Sequence, residues 1–258
     1  MITGASSGIG LSTARAFAAA GSKIVVVARR KKILEELSDQ IKNAGGYAIA
    51  ISADITDKTS IKTLFQSIEK ELGRLDVLVN NAGIGLNSPV ITMNSNDFER
   101  VLATNLFGPI FLIQAALPLM ITQRKGIIVN ILSISGRRAM PNSGGYCASK
   151  AALELLSDSL RMELFASGIK VVNIFPGFTS TLFSSNALGA KTRGRGRRFS
   201  VTPDRVARTI VKSTRLEKRE SYVTILDRLG VSCARLFPSL VDRIMQRLWG
   251  SSFPNLKH

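Results

Sequence analysis

The chain has 258 residues, 45% apolar and 21% charged, a size and balance that suit a soluble globular domain and exclude a disordered segment or a disulfide-stapled miniprotein. Two cysteines, Cys147 and Cys233, and one histidine, His258, are too few for a His-dependent triad or a Cys- or His-ligated metal centre, so no metal is expected. The formal net charge of +17 is lopsided, with 16 basic and 5 acidic residues after position 190, which inclines the last quarter toward an anionic partner.

Short β-branched runs alternate with segments of helical period, the pattern of a doubly wound parallel sheet covered by helices on both faces. The chain opens on T-G-A-S-S-G-I-G, residues 3–10, a glycine-rich turn entering a helix over 8–20. A strand must deliver that turn, and one of ordinary length, about five residues, does not fit before it. Either the native protein begins upstream or the chain lacks a central strand. Strands are then expected over 23–28, 47–52, 75–80, 126–132, 170–175 and 221–225, with helices over 31–44, 57–72, 96–121, 146–166 and 203–214. Residues 191–200, K-T-R-G-R-G-R-R-F-S, read as a mobile cationic loop. After residue 225 comes an extension, 226–258, in which Leu240, Val241, Ile244, Met245, Leu248 and Trp249 make one helical stripe opposite Asp242, Arg243, Gln246 and Arg247. With no uninterrupted apolar run of 18 residues and no signal-peptide pattern, the expected location is cytoplasmic.

Three places carry chemistry. Gly4, Gly8 and Gly10 let a backbone approach a pyrophosphate, and the helix that follows offers free N–H groups and a positive dipole end, although a plain tight turn fits the same residues. Arg29 stands at the end of the next strand, where an acid would read an adenosine 2′-hydroxyl; an arginine fork suits a 2′-phosphate instead, unless Arg29 to Lys32 simply form a solvated helix start. Tyr146 and Lys150 lie four apart on one helix face, so the ammonium is expected to lower the phenol pKa toward use in proton transfer. Ser133 and Asn80-Asn81-Ala82-Gly83 end buried strands, where such sheets bind ligands.

Together with Asp54, Asn105 in T-N-L-F-G and P-G-F-T-S-T at residues 176–181, these motifs resemble the short-chain dehydrogenase/reductase family over nearly all the chain to Thr214. The resemblance implies a Rossmann-type catalytic domain over residues 1–225 with strand order 3-2-1-4-5-6-7, and hydride exchange between a nicotinamide and a carbonyl or alcohol carbon. By the same resemblance, Tyr146 is the general acid of reduction. Lys150 holds the nicotinamide ribose and depresses the Tyr146 pKa, Ser133 orients the carbonyl oxygen, and Asn105 places a water linking Lys150 to solvent. Gly4, Ser6, Ser7, Gly8, Ile9, Gly10, Arg29, Asp54, Ile55, Asn81, Ala82, Gly83, Pro176, Gly177, Thr179 and Thr181 join Tyr146 and Lys150 in holding the dinucleotide, with NADP(H) favoured by Arg29. Asn105 and Asp54 also admit plain helix-kinking and helix-capping readings, and Cys147 reads as a small buried filler.

The loop L-F-S-S-N-A-L-G after Thr181 offers no fixed acid, base or arginine fork, which favours a small lipophilic carbonyl or alcohol substrate. The resemblance adds a homo-oligomer, and the basic amphipathic tail adds a peripheral contact with an anionic membrane. A nonenzymatic dinucleotide-binding or scaffold protein of the same fold is the alternative. Nucleic acid is disfavoured because Phe199 alone interleaves the arginine-rich loop.

Overall fold

A computed structural model of the chain describes residues 1–190 and 200–249. Among them, seven strands form one parallel sheet: β1 (Ile2–Thr3), β2 (Lys23–Ala28), β3 (Tyr47–Ser52), β4 (Val77–Asn80), β5 (Gly126–Ile131), β6 (Ile169–Phe175) and β7 (Glu220–Tyr222). Their order across the sheet is 3-2-1-4-5-6-7, as the resemblance implied. Nine helices of eight residues or more accompany them in the described residues: α1 (Gly8–Ala19), α2 (Lys31–Asn43), α3 (Lys58–Leu72), α4 (Ser95–Leu102), α5 (Gly108–Thr122), α6 (Gly144–Glu163), α7 (Pro203–Arg215), α8 (Ile225–Leu236) and α9 (Pro238–Trp249).

Alternation along each strand sends neighbouring side chains into two separate cores. On one face Ile24, Val26, Val79, Val129 and Val172 meet Phe17 of α1, Leu34 and Leu37 of α2, and Val206 and Ile210 of α7. On the other, Val25, Val27, Leu78, Ile128 and Val171 meet Ile61 and Leu64 of α3 and Leu112 and Met120 of α5. Both faces are dry, which is why the strands read as unbroken apolar runs. Caps set several helix starts: Asp57 accepts from the Thr59 and Ser60 amides, and Thr202 from the Arg205 amide.

Three expectations need correction, and two elements were not foreseen. The central strand is present but short, Ile2 pairing with Val26 on one side and Val79 on the other. The helix expected over 96–121 is broken at residues Ala103–Phe107 by a π-helical turn, and this turn carries Asn105. The strand expected over 221–225 stops at Tyr222 because Thr224 caps α8, accepting from the Asp227 amide at 3.0 Å. Helix α8 was not foreseen, and neither was a small second sheet in which Leu86–Asn87 pairs with Leu188–Gly189. The amphipathic stripe of 240–249 does form a helix, although the side chains of Leu248 and Trp249 lie outside the description, as does the cationic loop up to residue 199.

The run Ser95–Thr122 is long and apolar enough by composition to cross a bilayer. A core helix meets the same criterion, and Leu112, Ala116 and Met120 of this run are fully buried against the sheet.

Candidate active site

The carboxyl ends of β1, β2, β4, β5 and β6 converge on one edge of the sheet, and the expected residues gather there. Gly4 (φ 65°) and Gly8 (φ 54°) occupy the left-handed region that glycine adopts without strain. Space demands glycine too: a Cβ on Gly4 would lie 2.8 Å from Ala82 Cα, and one on Gly10 would lie 2.4 Å from the Gly4 carbonyl oxygen. Ser7 precedes α1 in an extended conformation and makes no side-chain cap, so the first N–H groups of α1 face the turn rather than a capping oxygen. Thr181 closes the far side, its Cγ2 being 3.1 Å from where a Gly8 Cβ would stand.

The β2 end holds two arginines. Arg29 is exposed and lies 3.8 Å from the Asp54 carboxylate. Arg30, its neighbour at the same strand end, folds its guanidinium onto the glycine turn, donating to Ser6 Oγ at 2.8 Å and to the Ser6 carbonyl at 3.2 Å. Asp54 does not cap α3; Asp57 does. Asp54 instead accepts from the Thr56 amide and hydroxyl at 2.9 and 2.8 Å. Partial burial works against its charge, but those bonds and nearby Arg29 hold the carboxyl below its ordinary value. Two expected residues turn elsewhere. Ile55 is buried against Gly108, and Asn81 donates its side-chain amide to the Thr3 carbonyl at 2.8 Å. Asn81 thereby braces the glycine turn, whereas Ile55 belongs to the core beneath α5.

Tyr146, Ser133, Lys150 and Asn105 are brought together. Ser133 caps the short helix Ile134–Arg137, accepting from the Ser135 amide, and its hydroxyl lies close enough to Tyr146 to favour the ionised phenol. Burial pushes the Tyr146 phenol up to about 12, and nearby Ser133 only partly opposes this. The expected lowering by Lys150 is therefore not what governs the phenol here. Lys150 is buried and donates to the Ile131 carbonyl at 2.8 Å; burial alone pushes its ammonium down to about 8. Asn105 is fully enclosed, accepting from the Ile84 amide (2.8 Å) and donating to the Ile84 carbonyl (2.9 Å) and Ser149 Oγ (3.0 Å). The π turn is what aims it there. Gly83 completes the group, since a Cβ on it would meet Asn105 Oδ1 at 3.1 Å and Lys150 Nζ at 3.6 Å.

Phe183 packs edge-on against Tyr146 with ring centroids 5.6 Å apart. The small second sheet and the bond from the Leu188 amide to the Gly85 carbonyl (2.9 Å) tie its loop down. Cys147 is buried, and burial pushes its thiol up, consistent with a filler. Pro176 and Gly177 lie beside the serine, the Ile134 amide donating to the Pro176 carbonyl at 3.1 Å. Thr179 bridges to Val201.

Two supporting groups escaped the sequence reading. Asn80, Asn130 and Asn173 share one rung across β4, β5 and β6, and Asn130 links Asn80 to Ser157 through bonds of 2.8 Å each. Arg137, with its side chain 11% exposed, joins Glu154 of α6 (2.7 Å), Glu220 (2.5 Å) and the Tyr222 hydroxyl, and stacks 3.8 Å from the Phe175 ring centroid. Burial opposes its charge, and the carboxylates and Tyr222 more than offset that. The only sequence signal was an arginine four residues past Ser133; its partners are 17 to 85 residues away.

A buried phenol beside a serine hydroxyl, a buried ammonium and a glycine-lined helix entrance can together bind a phosphate-bearing group and pass a proton to an adjacent oxygen. Comparison with known proteins agrees. The short chain dehydrogenase family model matches residues 1–190. The chain is 35% identical over 263 residues to dehydrogenase/reductase SDR family member 7B of Bos taurus, covering 95% of this chain and 79% of the relative. It is 32% identical over 252 residues to ketoacyl reductase HetN of a Nostoc species, covering 95% and 86%. A short-chain dehydrogenase from Sphingobium yanoikuyae in complex with NADPH superposes with a TM-score of 0.79 at 27% identity, covering 100% of this chain and 96% of that one. The chain belongs to the short-chain dehydrogenase/reductase family of oxidoreductases.

Proposed function

We propose that the chain is an NADP(H)-dependent oxidoreductase acting on a lipophilic ketone or secondary alcohol. The observation that carries the reading is Tyr146 buried with buried Lys150 on one face of α6, beside Ser133 at the end of β5 and roofed by Phe183. The residues present fit a dinucleotide: the glycine turn leaves a cradle that a Cβ would fill, and α1 opens onto it uncapped. When bound, the nicotinamide supplies or takes up the hydride.

The chain's own groups do the rest. Tyr146 gives its proton to the substrate oxygen in reduction and recovers it in oxidation. A phenol held at about 12 is protonated near neutral pH, the form that reduction requires. Ser133 donates to the same oxygen as charge develops on it. Lys150, near balance at about 8, holds the nicotinamide ribose and can replace the Tyr146 proton. Gly4 to Gly10, Asn81 to Gly83, Asp54 and the 176–181 turn hold the remainder of the dinucleotide. Arg29 and Arg30 favour the 2′-phosphate, since no acid ends β2 to repel it. The Sphingobium relative is in complex with NADPH, which supports the same choice. Phe183 and Ala187, packed over Gly85, favour an apolar substrate.

Exposed Phe107, Ile121, Leu155 and Met162 on and beside α5 and α6 support a homo-oligomer through those helices. The test of function is oxidation of NADPH and of NADH with ketones of increasing chain length. Faster turnover with NADPH, rising with substrate apolarity, is expected. A preference for NADH would reject the arginine assignment, and dinucleotide binding without turnover on any carbonyl compound would favour a binding or scaffold role.

A further inference from the structure

Helix α8 carries two apolar stripes. At about 100° per residue, Val231 and Ala234 fall together and are buried against the body. Ile225, Leu226, Leu229, Cys233 and Leu236 fall within about 100° of one another on the opposite side. Those leucines and the isoleucine are 78%, 75%, 58% and 73% exposed in chain order. Phe237, Leu240 and Ile244 continue the exposed apolar set into α9. A soluble domain gains nothing from a second apolar stripe facing water, and a patch of this extent marks an interaction surface.

Charge says which kind. Arg228, Arg235, Arg243 and Arg247 are exposed along the two helices, and none forms an ion pair among the described residues. Of the two acids in the same stretch, Asp227 lies against Gly177, where a Cβ would be 2.2 Å from its Oδ1, and Asp242, although its side chain is 55% exposed, is already paired with Arg138. The exposed apolar set on α5 and α6 differs, being interspersed with Asp158 and Glu163. An apolar face flanked by four arginines without an ion pair among the described residues, its exposed carboxylate Asp242 already held by Arg138, complements an anionic lipid surface.

We propose that α8 and α9 form a platform that seats the protein on an anionic phospholipid bilayer, with Ile225, Leu226, Leu229 and Leu236 entering the interface and the four arginines meeting headgroups. The Asp227–Gly177 contact places the start of α8 beside the loop bearing exposed Phe178 and Leu182, so the platform adjoins the segment that roofs Tyr146. Resting on the proposed lipophilic substrate, this placement makes the bilayer the reservoir from which that substrate is drawn.

Cys233 is exposed on the stripe while Cys147 is buried, so an environment-sensitive fluorophore can be attached at the native thiol of the full chain. Mixed phosphatidylglycerol/phosphatidylcholine vesicles should shift its emission to the blue and pellet the protein, added salt should weaken both effects, and pure phosphatidylcholine should do neither. Leu226→Asp with Leu229→Asp should lower partitioning at least about tenfold, with the circular dichroism spectrum unchanged. Arg228→Glu with Arg235→Glu should remove the dependence on phosphatidylglycerol. Equal binding to neutral vesicles, or vesicle binding indifferent to these substitutions, would overturn the proposal. A blue shift that grows with protein concentration without vesicles would overturn it in favour of a second copy on the same face. Partitioning is read without turnover, so an inactive protein that still binds vesicles would reject the enzymatic reading and leave this one standing.

Discussion

The candidate site and the C-terminal helix pair break the same packing rule in opposite directions. Around Tyr146 polar groups are inside: Asn105, Asn130, Ser149, Lys150 and Ser157 are all buried. On α8 and α9 apolar groups are outside. Burying an amide or ammonium is costly unless its bonds are replaced, and here they are, through Ile84, Ser149, Ser157 and the Ile131 carbonyl. The site is thereby made rigid by satisfied bonds. Nothing in the described chain replaces the water over Leu226 or Leu229, so the tail's deviation calls for an external partner. A departure from the burial rule that is internally compensated points to chemistry, and one that is not points to contact.

The sharpest way to break this contrast is Tyr146→Phe. Removing one hydroxyl from the compensated region should cut turnover by about 10³-fold while NADPH affinity stays within a few-fold, because the hydroxyl serves proton transfer. Turnover near the parent value would sink the mechanism. Fluorescence titration with NADPH supplies the binding control.

Arg137 and Arg138 are adjacent yet belong to the two different regions, so they compare them directly. Arg137→Met should destabilise the fold by about 3 kcal/mol, since it strands mostly buried Glu154 and removes the contact with the Phe175 ring. Chemical denaturation measures this. A change below about 1 kcal/mol, the size of an exposed pair, would mean that Arg137 does not knit the serine loop to α6 and β7.

Lys150 tests whether compensation is complete. Its ordinary value of 10.5 falls to about 8 in the fold. Between those values the unfolded chain binds more protons, so stability attributable to this group rises with pH across the window and the penalty is full below about pH 8. Lys150→Met should raise the stability of the cofactor-free protein at pH 7 by about 1–2 kcal/mol, the relief being offset in part by the lost bond to Ile131. The gain should shrink toward pH 10.5, and turnover and cofactor affinity should both fall. Melting curves at pH 7 and pH 10 check the sign. Destabilisation at pH 7 would show that the bond outweighs the buried charge.

What the sequence disclosed follows the same division. Strand β2 ends where its β-branched run ends, because both of its faces are buried and nothing else competes for those residues. Gly4, Gly8 and Gly10, Ser133, Tyr146 and Lys150 were legible because the chemistry needs specific residue types at local spacings. Arg30 on Ser6, the Arg137 hub and the asparagine rung are made by partners far apart in sequence, and no local period announces them. The kinking reading of Asn105 anticipated a break there, but the apolar period did not locate it, because a π turn barely disturbs apolar spacing. Helix α8 was missed because apolar stripes on two faces, with Gly230 between them, blur the 3.6-residue period that an amphipathic helix shows.

The smallest effect should come from the latch between the two regions. Asp242 of α9 pairs with Arg138, one residue past the short helix capped by Ser133, and is the tail's only ion pair to the body among the described residues. The Asp242 side chain is more than half exposed, so water and salt screen the pair, and Asp242→Asn should cost less than about 1 kcal/mol. Its worth lies in orientation, because losing it frees α9 to tilt while Val231 and Ala234 keep α8 seated. Turnover on a water-soluble ketone should therefore be unchanged in Asp242→Asn, and accessibility of Cys233 to a thiol reagent should rise only slightly. A loss of turnover comparable to that of Tyr146→Phe would show that the tail reaches the serine loop through Arg138, and the two regions would then be one functional unit rather than a compensated site and a separate contact surface.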